Sequence, residues 1–203
     1  MNISISKPLI LASSSPRRKE LLSLLNIPFH VKTFEMDESE ITGDSPEEIV
    51  CNTAMAKGLS VAEVYQDAIV ISADTLVFLD NEPLYKPENE EMAITYLKKL
   101  SGKTHQVLTG VTIFYNGKCS IFFEQTSVTF YTLTDEWIRT YVKSGDSLDK
   151  AGGYGIQSEG CFFVEKINGD YNNVVGLPIG KVFQEMKKMK LISIKQQGEN
   201  NDC

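Results

Sequence analysis

Three consecutive hydroxyls, Ser13, Ser14 and Ser15, stand directly before Pro16, Arg17 and Arg18, and this run of residue types can bind an anion. Serine and proline supply the N-cap and first position of a helix, and the apolar residues 9–11 before them read as a strand. Backbone N–H groups at such a helix start lack partners and carry the positive end of the helix dipole. Two arginines beside them add bidentate donors that suit phosphate. An ordinary capped helix with solvated arginines would have the same local sequence. A P-loop would not, since its pattern G-x-x-x-x-G-K-S/T is absent.

Lys57 interrupts an apolar stripe of Val50, Ala54, Val61 and Val64 whose spacing is that of one helix face. An unpaired ammonium is costly to bury, so Lys57 either snorkels to the edge or faces a polar cleft that holds an anion. Asp74 ends the apolar run of residues 68–73, at the strand end where α/β proteins gather catalytic groups. A lone aspartate there also serves as a turn or helix cap. Its company favours chemistry: Lys86 follows after a short loop, and Asp37 and Glu38 precede it. Carboxylates set among cations suit metal-assisted phosphoryl transfer, because Mg²⁺ takes oxygen ligands and keeps waters that a base can activate. Glu35, Glu40, Asp44, Glu47 and Glu48 read instead as a solvated acidic loop. Last comes a glycine-rich loop ending in Gln157, where the backbone can approach a ligand and an amide can read a base or ribose. Together Arg17, Arg18, Lys57 and Lys86, with the carboxylates, point to a polyphosphate-bearing substrate and a divalent metal.

The elements that must position these groups alternate. The strand at 9–11 leads to a helix carrying Leu21, Leu22, Leu24 and Leu25, then to a β-like piece over 29–34 and the acidic segment. A second helix starts near Ser45 and Pro46. Residues 68–73 are apolar on both alternating faces, as in a strand covered on both sides. The chain continues extended to Leu79, turns at Asp80 and Asn81, and enters a helix over about 88–100. Stretches 107–115 and 121–133, joined by Asn116 and Gly117, predict an antiparallel hairpin. A helix capped by Thr134 runs to about Val142, a strand covers 162–167, and a last helix covers 178–189. The predicted fold is α/β, with a mixed sheet in one domain over 1–194 and a disordered tail over 195–203.

Composition limits the partners. The chain has 203 residues, 42% of them hydrophobic, enough for one domain with a core. Its 20 Lys and Arg against 27 Asp and Glu give a formal charge of −7, which disfavours general nucleic-acid binding and anionic membrane surfaces. No apolar run is long enough for a membrane span or a signal-peptide core, so the chain reads as cytoplasmic. Cys51, Cys119, Cys161 and Cys203 are far apart, without metal-ligand spacing, and read as small buried apolar residues plus one at a frayed end.

These residues resemble a known family. LILASSSPRRKELL, Asp37–Glu38, Ala56–Lys57, Ala73–Asp74–Thr75, Lys86–Pro87, the Leu100–Ser101–Gly102 and Leu108–Thr109–Gly110–Val111 runs, DKAGGYGIQ and GDYNNVVGLP follow the order and spacing of the Maf family of nucleoside triphosphate pyrophosphatases. The resemblance implies cleavage between the α and β phosphates with a divalent cation, Mg²⁺ or Mn²⁺. It also implies an elongated mixed β-sheet flanked by helices, in two lobes with a cleft between them, similar to the inosine-triphosphatase fold. By the same resemblance Asp74 is the proton acceptor and, with Glu38, a metal ligand. Ser13, Arg17, Arg18, Lys57 and Lys86 hold phosphate, and Arg17, Thr75 and Gln157 select the substrate. The double arginine with Gln157 is similar to the branch acting on dTTP and UTP, and unlike the branch preferring 7-methyl-GTP. Gly58 and Gly153 depart from the alanines usual at those positions, which loosens the local backbone. A homodimer is compatible with the family. Two other readings compete: a nucleotide-sensing cell-division regulator with little turnover, and an inosine-triphosphate-type pyrophosphatase.

Overall fold

The computed structural model describes residues 2–36 and 41–195; Asp37, Glu38 and the tail beyond 195, with Cys203, lie outside the described residues. Its axis is β4 (Ile69–Leu79), buried at every position but one. Ile69, Ile71, Ala73, Val77 and Leu79 face the main core, while Val70, Leu76 and Phe78 face two smaller apolar clusters that Val50 and Val61 of α2 (Pro46–Ala62) help to form. Such two-sided cover is why the segment reads as an unbroken apolar run.

Among the described residues the sheet has seven strands, in the order β3-β2-β4-β6-β7-β8 with β5 also on β4. β2 (Leu9–Leu11) runs parallel to β4, as does β3 (His30–Val31) to β2; β5 (Glu82–Leu84), β6 (Thr104–Tyr115), β7 (Lys118–Phe130) and β8 (Val164–Asn168) continue the pairing antiparallel. β6 pairs with β4 over residues 70–78, so one edge of β4 is filled. Along the other edge β2 pairs with 69–71 and β5 with 77–79, and among the described residues no strand pairs with the positions between them. That interval contains Asp74 and Thr75. The sequence places Asp74 at a strand end; it lies mid-strand instead, because the β6 ladder carries β4 four residues beyond it and β5 pairs the last one, Leu79.

The remaining elements are α1 (Pro16–Ser23), α3 (Glu90–Leu100), α4 (Asp135–Lys143), α5 (Tyr171–Val175), α6 (Ile179–Lys188) and the antiparallel pair β1 (Asn2–Ile5) with β9 (Ile192–Lys195). Local chemistry accounts for their limits. Ser15, Ser45, Asn89 and Thr134 each cap a helix by accepting a backbone N–H three residues on. Asn116 and Gly117 both have positive φ, 50° and 71°, the turn a two-residue hairpin needs. α2 seats tightly on β4 and β6. A Cβ on Gly58 would overlap the side chains of Ser72, Thr112 and Phe114, and one on Gly110 would overlap the Val50 carbonyl. Gly58 therefore does not loosen the helix; it lets the helix reach the sheet.

Several expectations give way. The β-like piece over 29–34 shrinks to two exposed residues, because its partner β2 is only three residues long. Val64 lies beyond the end of α2 and is 61% exposed. The strand expected over 162–167 starts at Val164, its first residues forming a 3-10 turn. Cys119 and Cys161 are exposed and Cys51 is half-buried, so none of these three is a core residue. Cys119 lies close to the hairpin turn and Cys161 in the 3-10 turn, where little covers them.

Candidate active site

The bare interval of β4 opens into a cleft of about 1560 Å³. From the β2–α1 junction it receives Ser13, Arg17 and Arg18, and from α2 it receives Lys57. Asp74 and Thr75 form its floor, and Lys86 and Gln157 stand on the wall beyond. Every expected site residue inside the described range thus lines one cavity. Glu38 lies outside that range. Glu35, read from the sequence as part of a solvated loop, is exposed in an irregular segment and also lines this cleft.

Asp74 and Thr75 are consecutive on a strand and point to opposite faces. On the α2 face, Lys57 Nζ donates to Asp74 Oδ1 at 2.7 Å, with the two side chains only 20% and 12% exposed. Lys57 therefore neither snorkels to solvent nor lies unpaired in apolar surroundings; it orients a carboxylate. On the other face Arg18 donates to three oxygens among the described residues. Its Nε donates to the Gly176 carbonyl at 2.9 Å, one terminal nitrogen to Ser13 Oγ at 3.2 Å and the other to Thr75 Oγ1 at 3.0 Å. Thr75 Oγ1 is also 2.9 Å from Thr109 Oγ1 on β6. The guanidinium is thereby fixed between α1, β4 and the end of α5. Arg17, one residue earlier on α1, instead crosses to Asp149 Oδ2 at 3.2 Å.

Asp149 belongs to a group that the sequence reading left out. Asp146, Asp149 and Lys150 line the cleft beside the glycine-rich loop, and Lys150 Nζ donates to Asp146 Oδ1 at 2.8 Å and Asp149 Oδ1 at 2.6 Å. Burial pushes both carboxyls upward, but hydrogen bonds outweigh it and hold them below the usual range: from Lys150, Ser158 and Tyr141 on Asp146, and from Lys150 and Arg17 on Asp149. Both are ionised at neutral pH. The available signal was the Asp149–Lys150 pair, one residue before Gly152 and Gly153. Behind the loop, His105 Nε2 lies 2.8 Å from the Tyr154 hydroxyl, and burial lowers the imidazole pKa to about 3, so the ring is neutral.

The cleft's donor set is oxygen-rich. Asp74 on the floor and Glu35 on the wall are hard ligands, and among the described residues no group of three or more His, Cys, Asp or Glu side chains could hold a metal by itself. Carboxylate oxygens such as these are of the kind taken by a cation such as Mg²⁺, which uses one or two carboxylates and completes its shell with water and phosphate oxygens. Among the described residues, no helix is long and apolar enough to cross a membrane.

The Maf-like protein family matches residues 8–189 of this chain. A dTTP/UTP pyrophosphatase of Bacillus cereus (strain G9842) is 50% identical to it over 185 residues, covering 91% of this chain and 97% of that protein. One of Bacillus mycoides (strain KBAB4) is 48% identical over 182 residues, covering 90% and 95%. Among solved structures, a HAM1 protein from Coxiella burnetii superposes with a TM-score of 0.52 over 90% of this chain and 100% of that one, at 13% identity. At that identity the likeness concerns the fold alone.

Proposed function

Because this chain belongs to the Maf-like protein family, we propose that its cleft hydrolyses dTTP and UTP to the nucleoside monophosphate and pyrophosphate. The observation that carries this reading is the convergence of Arg17, Arg18, Lys57 and Lys86 with Asp74 on one cavity. A triphosphate brings several negative charges to a protein whose own charge is −7, so attraction must come from such a local cluster.

The start of α1 and Ser13 hold phosphate oxygens, and Arg18, Arg17 and Lys86 supply cationic donors. Asp74, held by Lys57, takes the proton of the attacking water. The water oxygen bonds to phosphorus, the anhydride bond between the α and β phosphates breaks, and pyrophosphate leaves with the negative charge. The cations gathered in the cleft stabilise that shift of charge. Asp74 and Glu38 would hold a divalent cation, Mg²⁺ or Mn²⁺, which neutralises phosphate charge when bound. Thr75, Arg17 and Gln157 meet the nucleoside end and favour a pyrimidine. In a cytoplasmic setting, as a monomer or homodimer, such turnover keeps unwanted pyrimidine nucleotides out of nucleic acids.

Product analysis tests this. The protein is incubated with dTTP, UTP, CTP, ITP, GTP and 7-methyl-GTP, with Mg²⁺ or Mn²⁺ or with chelator. Pyrophosphate release that needs the cation and favours dTTP and UTP is the expected result. Diphosphate plus phosphate, or saturable binding without turnover, contradicts it.

A further inference from the structure

We propose that Asp146 is a positioning residue that ties Arg17 to the Gln157 loop and so sets the nucleobase preference of the cleft. This rests on the reading that Arg17 and Gln157 select the base. The two line the same cleft 140 positions apart in sequence, and hydrogen bonds branching from one carboxylate run toward Arg17 on one side and to Gly155 and Ser158, either side of Gln157, on the other.

The first branch fixes the loop. Asp146 Oδ2 accepts from the Tyr141 hydroxyl at 2.7 Å and from Ser158 Oγ. Tyr141 Oη in turn accepts from the Gly155 N–H at 3.1 Å, and Ser158 Oγ lies 3.1 Å from the Gly155 carbonyl. Gly155 and Ser158 bracket Gln157, so Asp146 holds the loop on both sides of it, through Tyr141 at the Gly155 N–H and directly at the Ser158 side chain. The approach is close: a Cβ on Gly155 would sit 2.5 Å from Ser158 Oγ and 2.9 Å from Lys150 Cδ. The second branch reaches Arg17. Asp146 Oδ1 and its own carbonyl both accept from Lys150 Nζ, at 2.8 and 2.7 Å; the same ammonium holds Asp149 Oδ1 at 2.6 Å, and Asp149 Oδ2 accepts from Arg17.

Burial grades along this path. Tyr141 is 2% exposed, and the Lys150 and Asp146 side chains are 12% and 25% exposed, whereas that of Asp149 is 65% exposed. Hydrogen bonds in the shielded part resist competition from water, and the exposed pair with Arg17 is the soft end. Both oxygens of Asp146 are already engaged, so its role is to hold neighbours in place.

The test is base selectivity, read as kcat/KM for dTTP and UTP over that for CTP and GTP, with kcat and KM resolved. Asp146→Asn, Tyr141→Phe and Ser158→Ala each change one or a few atoms of the network, and thermal midpoints show whether each variant folds. Arg17→Ala and Gln157→Ala are measured beside them. The expected result is a selectivity ratio about tenfold lower in the three network variants, mostly through KM for dTTP and UTP, and lowered too by the Arg17 and Gln157 variants. If those two lower the ratio while folded network variants keep it, the positioning role is overturned and base selection stands. If neither Arg17→Ala nor Gln157→Ala moves it, base selection falls and this proposal with it. Should Asp146→Asn fail to fold, the Tyr141 and Ser158 variants decide.

Discussion

Arg18 reaches Thr75 Oγ1 at 3.0 Å across 57 positions of sequence, and with the same guanidinium holds Ser13 and the Gly176 carbonyl. A helix start, a strand floor and a helix end are thereby joined through one planar cation. Lysine carries the same charge, but its donors radiate from one compact nitrogen and cannot span the three acceptors that Arg18 reaches from three separate nitrogens of a planar fork. Arg18→Lys is therefore expected to lower kcat/KM for dTTP about 10- to 100-fold, the loss of one or two charge-assisted hydrogen bonds, and to lower the thermal midpoint. Steady-state kinetics with a melting curve checks both; kinetics within twofold of the parent would show that the charge alone matters.

Gly110 on β6 lets α2, the helix that carries Lys57, lie close against the sheet. A Cβ there would overlap the Val50 carbonyl of α2, whose backbone cannot yield as a flexible side chain could. Gly110→Ala is expected to lift α2 from the sheet, cost about 1–3 kcal/mol in urea unfolding and lower turnover through a displaced Lys57. Unchanged stability would show that the contact is not limiting.

Much of this was legible in the sequence because its signals are local. Two-sided burial marks β4, positive-φ residues mark the β6–β7 turn, and capping residues mark α1, α2 and α4. The cations and Asp74 were legible because their types and neighbours carry the chemistry. What escaped depends on distant pairing. The position of Asp74 within β4 follows from the length of the β6 ladder, and the Arg17–Asp149 contact joins residues 132 apart. α5 has only five residues and too little periodicity to read, and β1 and β9 find each other only after folding.

Stability should fall with acid through His105. Its imidazole is buried with a pKa lowered to about 3, against roughly 6.5 when unfolded. Between those values the unfolded chain binds a proton that the folded chain refuses. The stability present above pH 6.5 is therefore lost as pH falls toward 3, at about 1.4 kcal/mol per unit from this group. Between pH 6.5 and 5 that is about 2 kcal/mol. Urea unfolding of the parent and of His105→Phe at several pH values checks this, and the variant should show the shallower dependence. Equal slopes would show that other groups govern the acid limb.

Asp74, held 2.7 Å from Lys57 Nζ, is the group on which the proposed chemistry turns. Pyrophosphate release from dTTP and UTP by Asp74→Asn, set beside nucleotide binding and the melting curve of the same variant, tests it most directly. Asparagine keeps the shape but accepts no proton from water, so turnover should fall about 10²- to 10⁴-fold while the variant stays folded and still binds nucleotide. Undiminished pyrophosphate release by folded Asp74→Asn would contradict the account.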